Sequence, residues 1–138
     1  MKSSTRGLRG LYVVDTHALI WHLTGDPRLG RNARSILERA DRCKEVVLVP
    51  SIVLAECLYL LEKKGRGSLF LDLLNAVEAH PAYDIYPLTA AVLREMPNIV
   101  GLAELHDRII VATAKVNNAV LITKDEEIRR SGYIPTIW

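Results

Sequence analysis

Residues 11–17 read LYVVDTH and join a short apolar run directly to an acid and a helical stretch. The run is continuously apolar, which is typical of strands buried on both faces of a parallel sheet. Similar runs lie at 46–49 and 120–123, and weaker candidate strands lie at 85–86 and 134–138. Helical segments separate these runs, so the sequence predicts an α/β fold with a doubly wound parallel sheet.

The helical segments are predicted from apolar residues that recur every three or four positions. A glycine and a proline in the segment Gly25-Asp26-Pro27 end the first helix. Ser51 is predicted to be the N-cap of the third helix, and Gly65 ends it. The predicted helices cover residues 16–23, 29–40, 51–64, 69–77, 89–97 and 105–118.

Composition and length predict one globular domain over residues 11–138, preceded by a basic and polar tail over residues 1–10. The chain is 49% hydrophobic and 25% charged, which excludes a disordered protein. No apolar run follows the basic start as in a signal sequence. The longest apolar segment, 46–61, contains Pro50 and Glu56 and falls short of the roughly 20 residues of a membrane span. We therefore expect a cytoplasmic protein without a membrane anchor.

The two cysteines support a reducing compartment. Cys43 and Cys57 form neither a CxxC pair nor a cluster with histidines, so they predict no zinc site and no disulfide framework. Cys57 lies in an apolar run and is interpreted as a small core residue.

Two acids follow predicted strands, where ligands bind in doubly wound sheets. Asp15 comes directly after the first strand, and Asp125 lies two residues beyond the strand at 120–123. Each has a structural alternative. Asp15 is equally well placed to be the N-cap of the next helix, and Asp125, with Glu126 and Glu127, fits a solvated helix start.

Two further acids lie early in predicted helices of apolar character. Glu56 has Ile52, Val53 and Leu60 at helical spacing, so its carboxylate is either desolvated or paired with a cation. Asp107 opens the apolar segment DRIIVATA. The structural alternatives are an Arg or Lys partner for Glu56 and a helix-dipole role for Asp107.

Together, Asp15, Glu56, Asp107 and Asp125 predict one acidic site, because the carboxyl ends of the strands and the starts of the helices meet at one side of such a sheet. Four clustered carboxylates repel each other unless cations or protons intervene. Oxygen ligands without histidine or cysteine pairs select hard cations, so we expect one or two Mg²⁺ or Mn²⁺ ions. Such ions are a common device for phosphodiester hydrolysis.

These motifs resemble those of PIN domains, and most of all those of VapC-type toxins. The resemblance rests on VDTHALIW at 14–21, Glu56, HDRIIVATA at 106–114 and LITKD at 121–125, which occur in the order of the family. It covers the chain from about residue 11 to the end. A single motif of this kind is weak, whereas all four in order are specific.

The resemblance implies a three-layer sandwich whose five-stranded parallel sheet has the order 3-2-1-4-5. It implies that Asp15, Glu56 and Asp107 are the core metal ligands and catalytic acids, that Asp125 is a fourth, and that Thr123 supports the site. A strand-end threonine without a role is the alternative for Thr123. The resemblance further implies a ribonuclease toxin that forms a homodimer and binds an antitoxin protein. His17 is interpreted as local structure, Glu104 is either an accessory acid or a polar residue at a helix start, and His106 is assigned no role.

The charge distribution favours an RNA substrate. The chain has 18 basic and 16 acidic residues, so setting aside the four site acids leaves 18 against 12, or +6. Basic residues gather in two groups that either contact a phosphate backbone or form solvated faces. The groups are Arg28, Arg31, Arg34, Arg39 and Arg42, and Lys124, Arg129 and Arg130.

Other acid-bearing folds fit the sequence less well. A receiver domain needs an acidic pair before its phospho-acceptor and a lysine after its last strand, and a phosphatase with an aspartate nucleophile needs DxD where this chain has Asp15-Thr16-His17. The stronger rival is a PIN scaffold that binds RNA or protein without catalysis. Such a scaffold is expected to lack one or more of the four acids.

Overall fold

The computed structural model describes residues 10–138, and the predicted tail lies outside the described residues except for Gly10. Five strands form one parallel sheet in the order β3-β2-β1-β4-β5. This confirms the doubly wound class and the strand order. The strands are β1 (Leu11–Val14), β2 (Val46–Pro50), β3 (Tyr83–Tyr86), β4 (Val120–Ile122) and β5 (Thr136–Ile137).

Seven α-helices and two short 3₁₀ turns connect the described strands. The helices are α1 (Thr16–Thr24), α2 (Arg31–Asp41), α3 (Ser51–Lys63), α4 (Phe70–Ala79), α5 (Ala90–Glu95), α6 (Leu105–Val116) and α7 (Glu126–Ser131), and the 3₁₀ turns are Gly67–Leu69 and Met96–Asn98. In α3, Cys57 is buried in the core as predicted.

The central strands are buried on both faces because helices cover the sheet. Val13 and Val14 of β1 and Val47 and Val49 of β2 are fully buried, which explains why their sequences are apolar without alternation. Within residues 10–138, no helix is long and apolar enough to span a bilayer.

The register brings the ends of β1 and β4 side by side. Val14 of β1 is paired with Ile122 of β4, and the backbone N–H of Asp15 donates to the carbonyl of Ile122 at 3.2 Å. The residues after these two strands therefore share one side of the sheet, which we call its carboxyl end. The opposite side, where the strands begin, is its amino end.

Two local predictions need correction. Ser51 is the first residue of α3 rather than its N-cap; Pro50 occupies the cap position and makes no side-chain cap bond. Strand β4 ends at Ile122, so Thr123 lies just beyond it. The predicted end of α1 is confirmed, since Gly25 is its C-cap in the left-handed conformation, with φ of 67°.

Candidate active site

An open cavity of about 560 Å³ lies at the carboxyl end of the sheet and is lined by all four predicted acids, Asp15, Glu56, Asp107 and Asp125. They come from four different places in the chain: the ends of β1 and β4, helix α3 and the start of helix α6. The fold therefore brings the predicted set together. We call this space the acidic cavity.

Asp15 and Asp125 both cap helices that start beside the cavity. The Asp15 carboxylate accepts from the N–H of Ala18 at 3.0 Å, and the Asp125 carboxylate accepts from the N–H of Ile128 at 3.0 Å. The structural alternative for each residue is thus correct, and both side chains still line the cavity. Capping holds each carboxylate in place at the cavity wall.

Thr123 forms hydrogen bonds with both Asp15 and Asp125. It is fully buried, its hydroxyl oxygen accepts from the N–H of Asp125 at 3.1 Å, and it hydrogen-bonds the Asp15 side chain. Its position therefore suits the supporting role that the resemblance implies.

Glu56 is less buried than its sequence neighbours indicate. It lies in the second turn of α3 and its side chain is 25% exposed, because its helix face opens into the cavity. The Thr16 hydroxyl donates to its Oε1 atom, and the His106 Nε2 atom lies 3.1 Å from its Oε2 atom. Its partner in this structure is therefore a histidine and a hydroxyl, rather than an Arg or Lys.

His106 stands at the centre of the acids, although the sequence assigned it no role. Its Nε2 atom lies 3.7 Å from Asp107 Oδ1, and its Nδ1 atom lies 3.4 Å from Glu104 Oε2. Its contact with Glu56 depends on how α3 packs against α6, whereas the contacts with Glu104 and Asp107 are local in the chain. Sequence spacing gave no signal for the contact with Glu56, which is 50 positions away.

Burial and mutual repulsion weaken two of the acids. Burial raises the pKa of Asp15 to about 6, assisted by the charges of Asp125 and Glu56 and opposed by its hydrogen bonds. Burial also raises the pKa of Asp107 to about 6; the charge of His106 opposes this shift and neighbouring carboxylates add to it. The cavity therefore holds negative charge that the folded chain does not fully neutralise.

The chemistry of the lining residues fits a hard divalent cation, since carboxylate oxygens predominate. In residues 10–138, however, no group of three or more His, Cys, Asp or Glu side chains is arranged to hold a metal ion. The contacts already described explain this, because Asp15 and Asp125 are held by helix N–H groups and Glu56 by Thr16 and His106. Metal binding would therefore require these side chains to rearrange.

Some of the predicted basic residues are paired with acids, and one lies at the acidic cavity. Arg39 forms a salt bridge with Glu45, and Arg130 forms one with Glu126, so both positive charges are neutralised within the chain. Arg28 is paired with Asp26. Lys124 lies at the rim of the acidic cavity, where a phosphate group would meet it.

In a comparison with known families, the sequence model of the PIN domain matches residues 12–132. This range contains all four acids. No curated protein matches the chain.

Several solved structures share the fold at low sequence identity. VapBC2 from Rickettsia felis bound to a promoter DNA fragment is 18% identical, with a TM-score of 0.72 over 92% of this chain and 97% of that one. DNA-bound VapBC from Salmonella typhimurium is 16% identical, with a TM-score of 0.71 over 93% and 97%. VapC20 from Mycobacterium tuberculosis, a toxin that cleaves the sarcin–ricin loop, is 14% identical, with a TM-score of 0.67 over 91% and 97%.

Proposed function

This chain belongs to the PIN-domain family, and we propose that it is a divalent-metal-dependent ribonuclease, the toxin of a VapC-type toxin–antitoxin pair. It hydrolyses phosphodiester bonds within RNA in the cytoplasm. The observation that carries the proposal is the meeting of four carboxylates in one open cavity, where two of them have a raised pKa. Such a cavity favours the binding of an external cation.

Each acid has a distinct place in this proposal. Asp15, Glu56 and Asp107 would hold the Mg²⁺ or Mn²⁺ ion, and Asp125 would be a fourth ligand. The bound cation would supply Lewis acidity for the activation of water and for the stabilisation of the leaving oxygen. Thr123 positions Asp15 and Asp125 through its hydrogen bonds to both residues.

Two further side chains of the cavity wall have a place in this proposal. His106 contacts Glu56 and Asp107, and it is the partner that an ion would displace from these two carboxylates. Lys124 extends from the loop after β4 at the rim and attracts the anionic backbone of the substrate. Neither residue needs to transfer a proton for this role.

RNA is the favoured substrate for two reasons. Outside the four acids the chain carries an excess of six positive charges, which suits a polyanion once the acids are neutralised. The structurally similar VapC20 is a toxin that cleaves the sarcin–ricin loop, an RNA target. The choice of target RNA would depend on loop shape and on unstacked bases.

The proposed partners are an antitoxin protein and a second copy of the chain. The similar chains from Rickettsia felis and Salmonella typhimurium belong to VapBC assemblies. By analogy, an antitoxin segment covers the acidic cavity and blocks the access of RNA. Coexpression with the product of an adjacent reading frame, followed by a cleavage assay, would test this part separately.

The rival function is a PIN scaffold that binds RNA or protein without cleaving. The test is the cleavage of a labelled single-stranded RNA with Mg²⁺ or Mn²⁺ and with EDTA, for wild type, Asp15→Asn and a control, Asp72→Asn. Asp72 is an exposed acid on α4. Cleavage that needs the metal, is lost in Asp15→Asn and persists in Asp72→Asn would support the nuclease. RNA binding without cleavage at any metal concentration would support the scaffold.

A further inference from the structure

A second cavity, of about 330 Å³, adjoins the acidic cavity and is lined in part by Trp21. Its volume lies within the range of small-ligand sites, which is about 300–1,000 Å³. The two cavities share His17 and Lys124 in their walls. A chain molecule bound at the acids can therefore continue past Lys124 into this Trp21 cavity.

Two cations are held beside the Trp21 indole before any ligand arrives. The Arg28 Cζ atom lies 4.6 Å from the ring centroid, and the Lys124 Nζ atom lies 4.7 Å from it. Arg28 donates two hydrogen bonds to the Asp26 carboxylate, from Nε to Oδ1 at 3.0 Å and from Nη2 to Oδ2 at 2.8 Å. The Arg28 side chain nevertheless remains 59% exposed. Its guanidinium plane is thus fixed in orientation and still open to a ligand.

The remaining walls combine apolar surface with one more cation. Ile20 and Leu60 are half-buried, and Lys64 is exposed directly after helix α3. None of the described residues that line the Trp21 cavity is acidic, and Asp26 is the carboxylate that contacts Arg28 from outside it. An apolar floor under a cationic rim matches a flat base joined to a phosphate.

We propose that the Trp21 cavity binds one nucleotide of single-stranded RNA directly beside the scissile phosphate. The base lies on Ile20 and Leu60 and against the Arg28 guanidinium, and the linking phosphate contacts Lys124. Arg28, Lys64 and Lys124 are positioning residues in this scheme and take no part in bond cleavage. The inference rests on the proposed ribonuclease function and adds a site that orients its substrate.

The test is RNA binding without cleavage. Fluorescein-labelled single-stranded RNA of twelve random nucleotides is titrated with protein in EDTA and followed by anisotropy, for wild type, Arg28→Ala and Lys124→Ala. The matched controls are Arg42→Ala and Lys115→Ala. Both residues are exposed at the amino end of the sheet, Arg42 directly after α2 and Lys115 in the last turn of α6. Arg28→Ala and Lys124→Ala are each expected to weaken binding about 3- to 10-fold. Lys124→Ala is also expected to reduce the slope of log Kd against log salt by about 0.7, because its phosphate contact is lost. The controls are expected to bind like wild type.

A cleavage assay separates positioning from general damage. With Mn²⁺, Arg28→Ala and Lys124→Ala are expected to raise KM by the same factors while kcat stays within about twofold, because positioning residues act on binding. Arg28→Lys should recover the part of the affinity that comes from charge. A fall in kcat with an unchanged KM would overturn the positioning role.

The outcomes distinguish this inference from the proposed function. Wild-type affinity in both variants, with metal-dependent cleavage intact, would overturn the nucleotide site and leave the ribonuclease standing. Weakened RNA binding with no cleavage at any metal concentration would support the nucleotide site and contradict the nuclease. A third arm uses a labelled twelve-residue glutamate-rich peptide. Loss of peptide binding with unchanged RNA binding would make the cavity a protein-docking site and overturn the proposal.

Discussion

The two ends of the sheet treat carboxylates differently. At the amino end, Glu45 is buried, its Oε1 accepts from the N–H of Gly10 at 2.7 Å, and its Oε2 accepts from Arg39 Nε at 2.8 Å. At the carboxyl end, Asp15 and Asp107 lie among other acids, and burial raises the pKa of each to about 6. The charge of Glu45 is therefore neutralised within the chain, whereas Asp15 and Asp107 have no arginine or lysine partner among the contacts described.

This difference separates a structural acid from a candidate functional acid. Burial alone does not distinguish them, since Glu45 is the more buried residue. What distinguishes them is the charge of their neighbours. Glu45 is paired with an arginine, whereas Asp15 is hydrogen-bonded only to a backbone N–H and a hydroxyl and has the charges of other carboxylates nearby. A buried pair stabilises the fold, whereas an acidic cluster costs stability until something binds it.

The largest expected effect concerns cleavage. Asp107→Asn should lower the rate of metal-dependent RNA cleavage roughly 1,000-fold or more, because it removes a proposed ligand of the ion. Glu45→Gln should cleave within a few fold of wild type. Initial rates on the same labelled RNA, at protein concentrations where both variants are folded by circular dichroism, would measure this. An equal loss of cleavage rate in both variants would contradict the proposed difference between the two ends of the sheet.

The second effect concerns stability at the amino end. Glu45→Ala leaves the N–H of Gly10 and the Arg39 guanidinium without their partner. The free energy of unfolding should fall by about 2–3 kcal/mol, with Arg39 limiting the loss because it is partly exposed. Urea unfolding at pH 7 would measure it. A loss below about 0.5 kcal/mol would show that Glu45 is not a structural acid.

The third effect has the opposite sign and depends on pH. The pKa of Asp107 is about 6 in the folded protein, against an ordinary value of 3.8, so the folded state holds the proton more tightly. This contribution to stability is complete below about pH 4 and is lost as the pH rises through 6. In EDTA, Asp107→Asn should therefore match wild type near pH 4 and exceed its free energy of unfolding by about 2–3 kcal/mol at pH 7. A variant that is less stable than wild type at pH 7 would contradict the crowding of the acids.

The smallest effect is a control on exposed charge at the carboxyl end. Arg130 is paired with Glu126 one helical turn away, and both side chains are highly exposed. Arg130→Ala should change the free energy of unfolding by less than about 0.5 kcal/mol. It should also leave the metal dependence of cleavage unaltered. A larger change in stability would show that charge anywhere at this end, rather than crowding within the cavity, governs its behaviour.

The sequence predicted the class of fold and the acids of the candidate site, because both depend on local patterns. Continuous apolar runs identified β1, β2 and β4, and an acid directly after Val14 or shortly after Ile122 follows from strand position. The order of the strands came from the family resemblance. Spacing alone does not determine which strands are neighbours.

Contacts between helices that are distant in the chain could not be predicted from the sequence. His106 and Thr16 both contact Glu56, and these contacts arise only when α1, α3 and α6 pack together. The sequence also did not indicate that Asp26 orients Arg28 beside Trp21. The N-cap of α3 was misplaced for a local reason, since Pro50 fixes the backbone before the helix and leaves Ser51 as its first residue.

The most direct measurement of the central claim is thermal unfolding with and without divalent cations, for wild type, Asp107→Asn and Glu45→Gln. Saturating Mn²⁺, compared with EDTA, should raise the midpoint of wild type by about 5 °C, since an ion that binds only the folded state stabilises it. Glu45→Gln should keep this shift and Asp107→Asn should lose most of it. No shift in wild type, or the same shift in Asp107→Asn, would contradict a cation site built from the acids at the carboxyl end of the sheet.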